Sequence, residues 1–235
     1  MPDPAGPAPA PARQSLPRKA QIREENTVAI LAAAEEVFAE MGFRGASTAA
    51  IAERAGVPKA NLHYYFRTKN QLYARVLESI ITEWFEAADR FGISDDPVEA
   101  IDHYVRAKME LSRTRPAASK VFANEIIHGA PQLMVYLRTT LRNWAATRAA
   151  DIERWVAQGR IDPVDPYHLL FMIWAVTQHY ADFSCQIQAV LDRDRLPRAE
   201  FDRAAEQITR IIVKGIGALE RREAAEADAS KGTAA

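Results

Sequence analysis

The run Thr48-Ala49-Ala50-Ile51-Ala52-Glu53-Arg54-Ala55-Gly56-Val57-Pro58-Lys59-Ala60-Asn61-Leu62-His63-Tyr64-Tyr65 reads as two short helices joined by a tight turn. Gly56 sits where a helix stops abruptly. Such a stop usually passes through a left-handed backbone conformation that only glycine adopts cheaply. Ile51, Ala52, Ala55, Val57 and Leu62 supply small apolar faces that hold the two helices against each other. Thr48 is placed to cap the first of them and Pro58 to open the second. Lys59, Ala60, Asn61, His63 and Tyr64 are then left on the outer face of the second helix. This arrangement lets a helix lie in the major groove of DNA, where Asn can pair with adenine and Lys with guanine or phosphate. Tyr65 and Lys69 are expected at phosphates, Lys69 at the positive end of the next helix, and Thr48 is expected among the DNA-binding residues.

Outward from this run the chain reads as helix throughout. Ile30, Leu31, Ala34, Val37, Phe38 and Met41 share one face of a preceding helix closed by Gly42. Thr68-Lys69-Asn70-Gln71 has the capping-box form and starts a long helix reaching about residue 90. Asp96-Pro97 and Asp165-Pro166 each set a capping carboxylate before a proline at the first helical position. They predict helices over 97–114 and 166–188, with others over 118–128, 131–158 and 198–220. No run of alternating β-branched residues predicts a strand. The expected class is all-α: an N-terminal three-helix helix-turn-helix domain, residues 21–68, and a C-terminal helical ligand-binding and dimerisation domain, 69–220. Residues 1–20 hold six of the 13 prolines and read as a flexible arm; 221–235 read as a polar tail.

The totals narrow the function classes. The single cysteine, Cys185, excludes an internal disulfide and suits a reducing cytoplasm. No apolar run is long enough to span a membrane, and the N-terminus lacks the order of a signal peptide. From Arg13 to Arg75 there are ten Lys and Arg against six Glu, and beyond Arg75 there are 20 basic against 24 acidic residues. A mildly basic module therefore precedes a mildly acidic body, as expected if one end faces DNA.

Phe43-Arg44-Gly45-Ala46-Ser47-Thr48, Ile51 to Val57, Leu62-His63-Tyr64-Tyr65-Phe66 and Lys69-Asn70-Gln71-Leu72 together resemble the DNA-binding domain of TetR-type repressors. The resemblance implies a dimer that binds palindromic double-stranded operator DNA and lets go when a small effector binds. The second half, above all Phe171-Met172-Ile173-Trp174-Ala175-Val176-Thr177-Gln178-His179-Tyr180-Ala181-Asp182-Phe183, is similar to a pyrimidine-responsive branch of that family. In that branch the effector is uracil or thymine.

Trp174, Gln178, Ala181, Asp182 and Cys185 fall at helical spacing, which puts an indole face and an amide on one stripe. An indole stacks on a flat ring, and a glutamine amide matches an N–H beside a C=O. Trp84 is the candidate for a second wall. Spacing alone leaves both tryptophans equally placed as core residues; the resemblance implies the pocket, with ligand contacts at Trp84, Trp174, Gln178 and Asp182. A broad drug-sensing pocket is the alternative within this class. His179 with Asp182, and Glu125 with His128, have the spacing of acid/base or metal pairs, but no third ligand and no nucleophile motif accompanies them. No enzyme activity, metal or cofactor is expected. Ile208, Ile211, Ile212 and Ile216 line one face of the last helix and are expected at the dimer interface.

Overall fold

The computed structural model describes residues 18–224. The proline-rich arm up to residue 17 and the tail from 225 lie outside the described residues. Among those described there are helices and no strand: α1 (Arg18–Gly45), α2 (Thr48–Arg54), α3 (Lys59–Tyr65), α4 (Lys69–Ala88), α5 (Pro97–Thr114), α6 (Pro116–Ile127), α7 (Met134–Tyr136), α8 (Arg142–Ala157), α9 (Pro166–Asp182), α10 (Ser184–Val190) and α11 (Arg198–Gly215). A π turn, Leu137–Leu141, joins α7 to α8.

The predicted punctuation is present at most boundaries. Asp96 accepts from the amides of Val98 and Glu99, Asp165 from that of His168, and Thr68 from that of Gln71. Gly56 takes φ +67°, and around it Val57 N–H donates to the Ala52 carbonyl and Gly56 N–H to that of Glu53. These two bonds satisfy carbonyls that the end of α2 would otherwise leave open. The cap of α2 is Ser47, whose Oγ accepts from Ala50 N at 3.1 Å, rather than Thr48. Gly42, at φ +67° and ψ 169°, breaks α1 near its end, where the sequence expects the helix to close.

Two cores form. One joins Ile30, Val37 and Phe38 of α1 to Ile51 and Leu62 of the helix-turn-helix and to Leu72, Val76 and Ile80 of α4. It also takes in Ala118 and Val121 of α6, so α6 packs on the helix-turn-helix module although it lies far along the chain. The other core gathers Phe91, from the 3-10 turn Asp89–Gly92 that follows α4, with Tyr104, Met109, Ile152, Trp155, Ile173 and Phe201 from α5, α8, α9 and α11.

Two expectations need correcting. The stretch 166–188 is not one helix: Phe183, at φ −114° and ψ 30°, interrupts it, so Cys185 leaves the Trp174 stripe and is exposed. The last helix turns its isoleucines inward. Ile212 and Ile216 are 3% and 5% exposed and belong to the monomer's own core, Ile208 packs against that core, and only Ile211 stands out at 67%. The remaining outer face of α11 is charged, with Asp202, Arg203, Glu206, Arg210 and Lys214.

Candidate functional site

The surface expected to read DNA is that of α3. Leu62 is fully buried and Phe66 nearly so, which leaves Lys59, Ala60, Asn61, His63 and Tyr64 exposed as the sequence expects. Among the described residues, the side chains of Lys59, Asn61 and His63 make no hydrogen bond or ion pair within the protein, so their polar groups are available to a partner. Tyr64, at 73%, is the most outward of the aromatic run, and Tyr65 is half-buried with its hydroxyl accepting from Asn26 at 3.3 Å. Thr48 is half-buried. Arg44 and Arg67, on either side of the module, are exposed cations that the sequence reading passed over.

Lys69 departs from expectation. Its ammonium donates to the carbonyls of Phe43 at 2.8 Å and Ala46 at 2.9 Å and lies 4.6 Å from the Phe43 ring centroid. It ties the start of α4 to the end of α1, so its charge is spent on positioning the module rather than displayed to a phosphate.

The second site is a cavity among α4, α5, α6, α8 and α9. Trp84, Trp174 and Gln178, singled out from sequence, all line it, together with Phe122, Tyr136, Trp144, Tyr104 and Lys108. Its volume is about 70 Å³. A single water needs roughly 10–15 Å³ on this measure, so the room suits one small ring. Asp182 does not line it; its carboxylate accepts from Ser119 Oγ at 2.6 Å, and burial raises its pKa.

The polar groups here are few, and two of them are bonded to each other. The Trp174 indole N–H donates to the Tyr104 hydroxyl at 2.8 Å. That hydroxyl, deeply buried and with its pKa pushed well up by burial, keeps its own proton to donate elsewhere. The Gln178 side chain makes no hydrogen bond among the described residues. Lys108 is buried, with its ammonium 4.1 Å from the centroid of Trp84, and has neither hydrogen bond nor ion pair. Burial pushes its pKa down to about 8, against a pull in the other direction from Asp182. Burial also pushes Tyr136 up to about 12. Buried polar groups normally find partners within the fold. An amide, an ammonium and a hydroxyl proton without acceptors around one aromatic cavity are groups able to bind a small polar ring.

Lys108 and Tyr104 were missed by sequence reasoning, yet a signal existed. Ile101, Tyr104, Val105, Lys108, Met109 and Ser112 form the buried stripe of α5, and a lysine in such a stripe is out of place unless it is used. The pairs that suggested acid/base chemistry are otherwise engaged. Glu125 accepts from the Tyr73 hydroxyl at 3.0 Å and from Gln132 N, His128 bonds the Asn124 carbonyl, and His179 stacks on Phe183. No group of three or more His, Cys, Asp or Glu able to hold a metal ion is found among the described residues, and no helix among them is long and apolar enough to cross a membrane.

Comparison with known proteins agrees with both halves. Residues 30–76 match the family described as bacterial regulatory proteins, tetR family, and residues 77–219 match the YcdC-like protein C-terminal region. The HTH-type transcriptional regulator RutR of Escherichia coli K12 is 44% identical over 188 residues, covering 80% of this chain and 89% of that protein. Among solved structures, the ketosteroid transcriptional regulator KstR2 of Mycobacterium tuberculosis superposes with a TM-score of 0.68 at 18% identity, covering 81% of this chain and 94% of its own. AibR in complex with isovaleryl coenzyme A and operator DNA gives 0.62 at 18% identity, covering 78% and 96%.

Proposed function

The chain belongs to the TetR family of bacterial regulatory proteins, and from that premise we propose that it is a ligand-responsive repressor that binds a palindromic operator as a homodimer and is released from it by a pyrimidine such as uracil or thymine. The observation that carries the effector assignment is the pairing of a one-ring cavity with an uncommitted donor set. A pyrimidine imide offers N–H flanked by two carbonyls. The Gln178 amide complements one N–H and C=O edge, the Lys108 ammonium and Tyr104 hydroxyl complement the remaining carbonyl, and the indoles of Trp84 and Trp174 cover the faces. A drug-sensing pocket would need room for a larger apolar molecule, and the small volume speaks against it.

The dimer follows from α9 rather than α11. Tyr167, Phe171, Met172 and Ala175 recur at helical spacing on the outer side of α9 and are all exposed. The inner side, with Leu169, Leu170 and Ile173, is buried in the monomer. A helix apolar all round is one that is covered on both sides. A second copy packing on this face supports a two-fold axis that presents two α3 helices at half-sites about one helical turn, ~34 Å, apart or a multiple of it.

The test is release of labelled operator, followed by fluorescence anisotropy as uracil or thymine is added. Trp174→Ala and Gln178→Leu are expected to bind operator as the parent does and to hold it at effector concentrations that free the parent. If both variants release the operator at unchanged concentrations, the effector sits elsewhere. If the parent ignores pyrimidines and answers another small molecule, the assignment of ligand falls while that of the pocket stands.

A further inference from the structure

We propose that the cleft bounded by the end of α5, the start of α6, α10 and the start of α11 is a second ligand site, built for a phosphorylated small molecule that carries a ring, of the class of nucleoside monophosphates. The cleft has a volume of about 450 Å³, far larger than the aromatic cavity, and shares no lining residue with it. Its wall carries four cations, Arg113, Lys120, Arg195 and Arg198, and no carboxylate.

Two of these cations are already engaged. Glu110 holds Arg113 at 2.6 Å and 2.8 Å, and Asp202 lies 3.8 Å from Arg198. The side chains of Lys120 and Arg195 have no hydrogen bond or ion pair among the described residues, although the structure pairs most of its other arginines; Lys120 is partly balanced by the nearby Asp182 carboxylate, and Arg195 is not. Concentrating unpaired like charge in a concavity costs free energy through mutual repulsion, and a bound anion removes that cost. The uncapped N-terminus of α11 opens into the same space: Pro197 precedes it and provides no side-chain cap. Its first amides add to the positive field of the cations, although Glu200 N–H already donates to the Pro197 carbonyl at 2.9 Å and the Glu200 carboxylate in the same turn is taken up by Arg203. One side of the cleft is apolar, formed by Leu196 and by Phe201 and Tyr180, whose rings lie 6.0 Å apart. A doubly charged phosphate ester answers the cations, and a ring attached to it answers the aromatic side. Free phosphate answers only the first.

The cleft adjoins the α5–α6 junction. Arg113 is two residues before Arg115, which reaches into the DNA-binding module, and Lys120 follows Ser119, which holds Asp182 of α9. An occupant would therefore bear on the connection between the two halves.

Calorimetric titration of the full chain with uridine 5′-monophosphate, uridine and inorganic phosphate, at low ionic strength, tests the site. The monophosphate is expected to bind once per chain, and uridine about tenfold more weakly or worse. Arg195→Glu and Lys120→Gln are each expected to weaken the monophosphate by about tenfold or more. Both variants should keep the parent's circular dichroism spectrum and operator affinity, a control that makes no use of the aromatic cavity. Equal binding by the parent and by Arg195→Glu overturns the proposal, as does loss of the monophosphate in Trp174→Ala, which would assign it to the aromatic cavity. Phosphate binding as well as the monophosphate overturns the role of the apolar wall. Operator affinity falling in Arg195→Glu with monophosphate binding unchanged would assign these cations to DNA.

Discussion

Lys108 sets the terms at the scale of the residue. An ammonium with no partner inside an aromatic cavity destabilises the fold, and the burial that causes this also holds its pKa down to about 8 from the ordinary 10.5. The unfolded chain keeps the proton up to about the ordinary value while the folded chain releases it earlier. Between these two values the unfolded state binds more protons, so stability rises as pH climbs through that window. At neutral pH the charge costs a few kcal/mol, since each pKa unit is worth about 1.4 kcal/mol, partly offset by the ring of Trp84. Lys108→Met is therefore expected to raise the melting temperature by several degrees while abolishing the response to effector. Parent effector affinity is expected to fall as pH rises past about 8, where the ammonium is lost. A variant with lowered melting temperature and normal response would remove Lys108 from the site. On the DNA side, Asn61→Ala is expected to cost about 1–3 kcal/mol of specific operator binding with no change in melting temperature. Lys69→Ala is expected to lower stability first, because its ammonium clasps the carbonyls of Phe43 and Ala46.

At the scale of the element, caps and turns were legible in the sequence because they are local. Asp96, Asp165, Thr68 and Gly56 do what their types and positions dictate. Ser47 displaced Thr48 as a cap by a single residue, a choice between adjacent hydroxyls that backbone geometry alone decides. The exposed face of α3 was legible for the same reason: Leu62 had to turn inward, and the rest followed. Facing across helices was not legible. The isoleucine stripe of α11 carries no mark of whether it meets its own α5 or a second subunit, and it meets α5. The clue lay in α9, which is apolar on two sides and so cannot satisfy both within one chain. Phe171→Glu is accordingly expected to give a folded monomer by light scattering, with operator affinity lowered by about tenfold or more, ~1.4 kcal/mol for each factor of ten. Ile212→Glu instead places a charge in the monomer core and is expected to lower the melting temperature sharply. A Phe171→Glu variant that stays dimeric would move the two-fold axis off α9. The aromatic cavity was half legible: Trp84, Trp174 and Gln178 could be picked out, whereas Phe122, Tyr136 and Trp144 arrive from helices whose crossing no spacing predicts.

At the scale of the whole molecule, an effector bound as proposed between Trp84 and Trp174 has to reach α3. One route is α4, whose start is clasped by Lys69 and which carries Trp84 fifteen residues later, ~22 Å away at 1.5 Å per residue. The packing adds a second route through α6. Phe122 meets Trp84 with ring centroids 4.5 Å apart, while Ala118 and Val121 on the same helix lie in the core of the DNA-binding module. Arg115, at the α5–α6 junction, joins both routes: it pairs with Glu35 of α1, 3.2 Å from Nε to Oε1, and with Glu83 of α4, the neighbour of Trp84. An effector that displaces Trp84 or Phe122 thus shifts two helices that are pinned together at one guanidinium. It acts only if it prefers the arrangement that misplaces α3, and a tenfold loss of operator affinity requires about 1.4 kcal/mol of such preference. Removing Arg115 alone would strand the buried Glu35 carboxylate, so the informative variant is the double change Arg115→Met with Glu35→Gln. It is expected to fold, to bind operator within a few-fold of the parent, and to bind effector by calorimetry with little change. Effector should nevertheless free the operator far less completely, because the two routes are no longer locked together. Full release by the double variant at the parent's effector concentrations would leave α4 alone as the carrier of the signal.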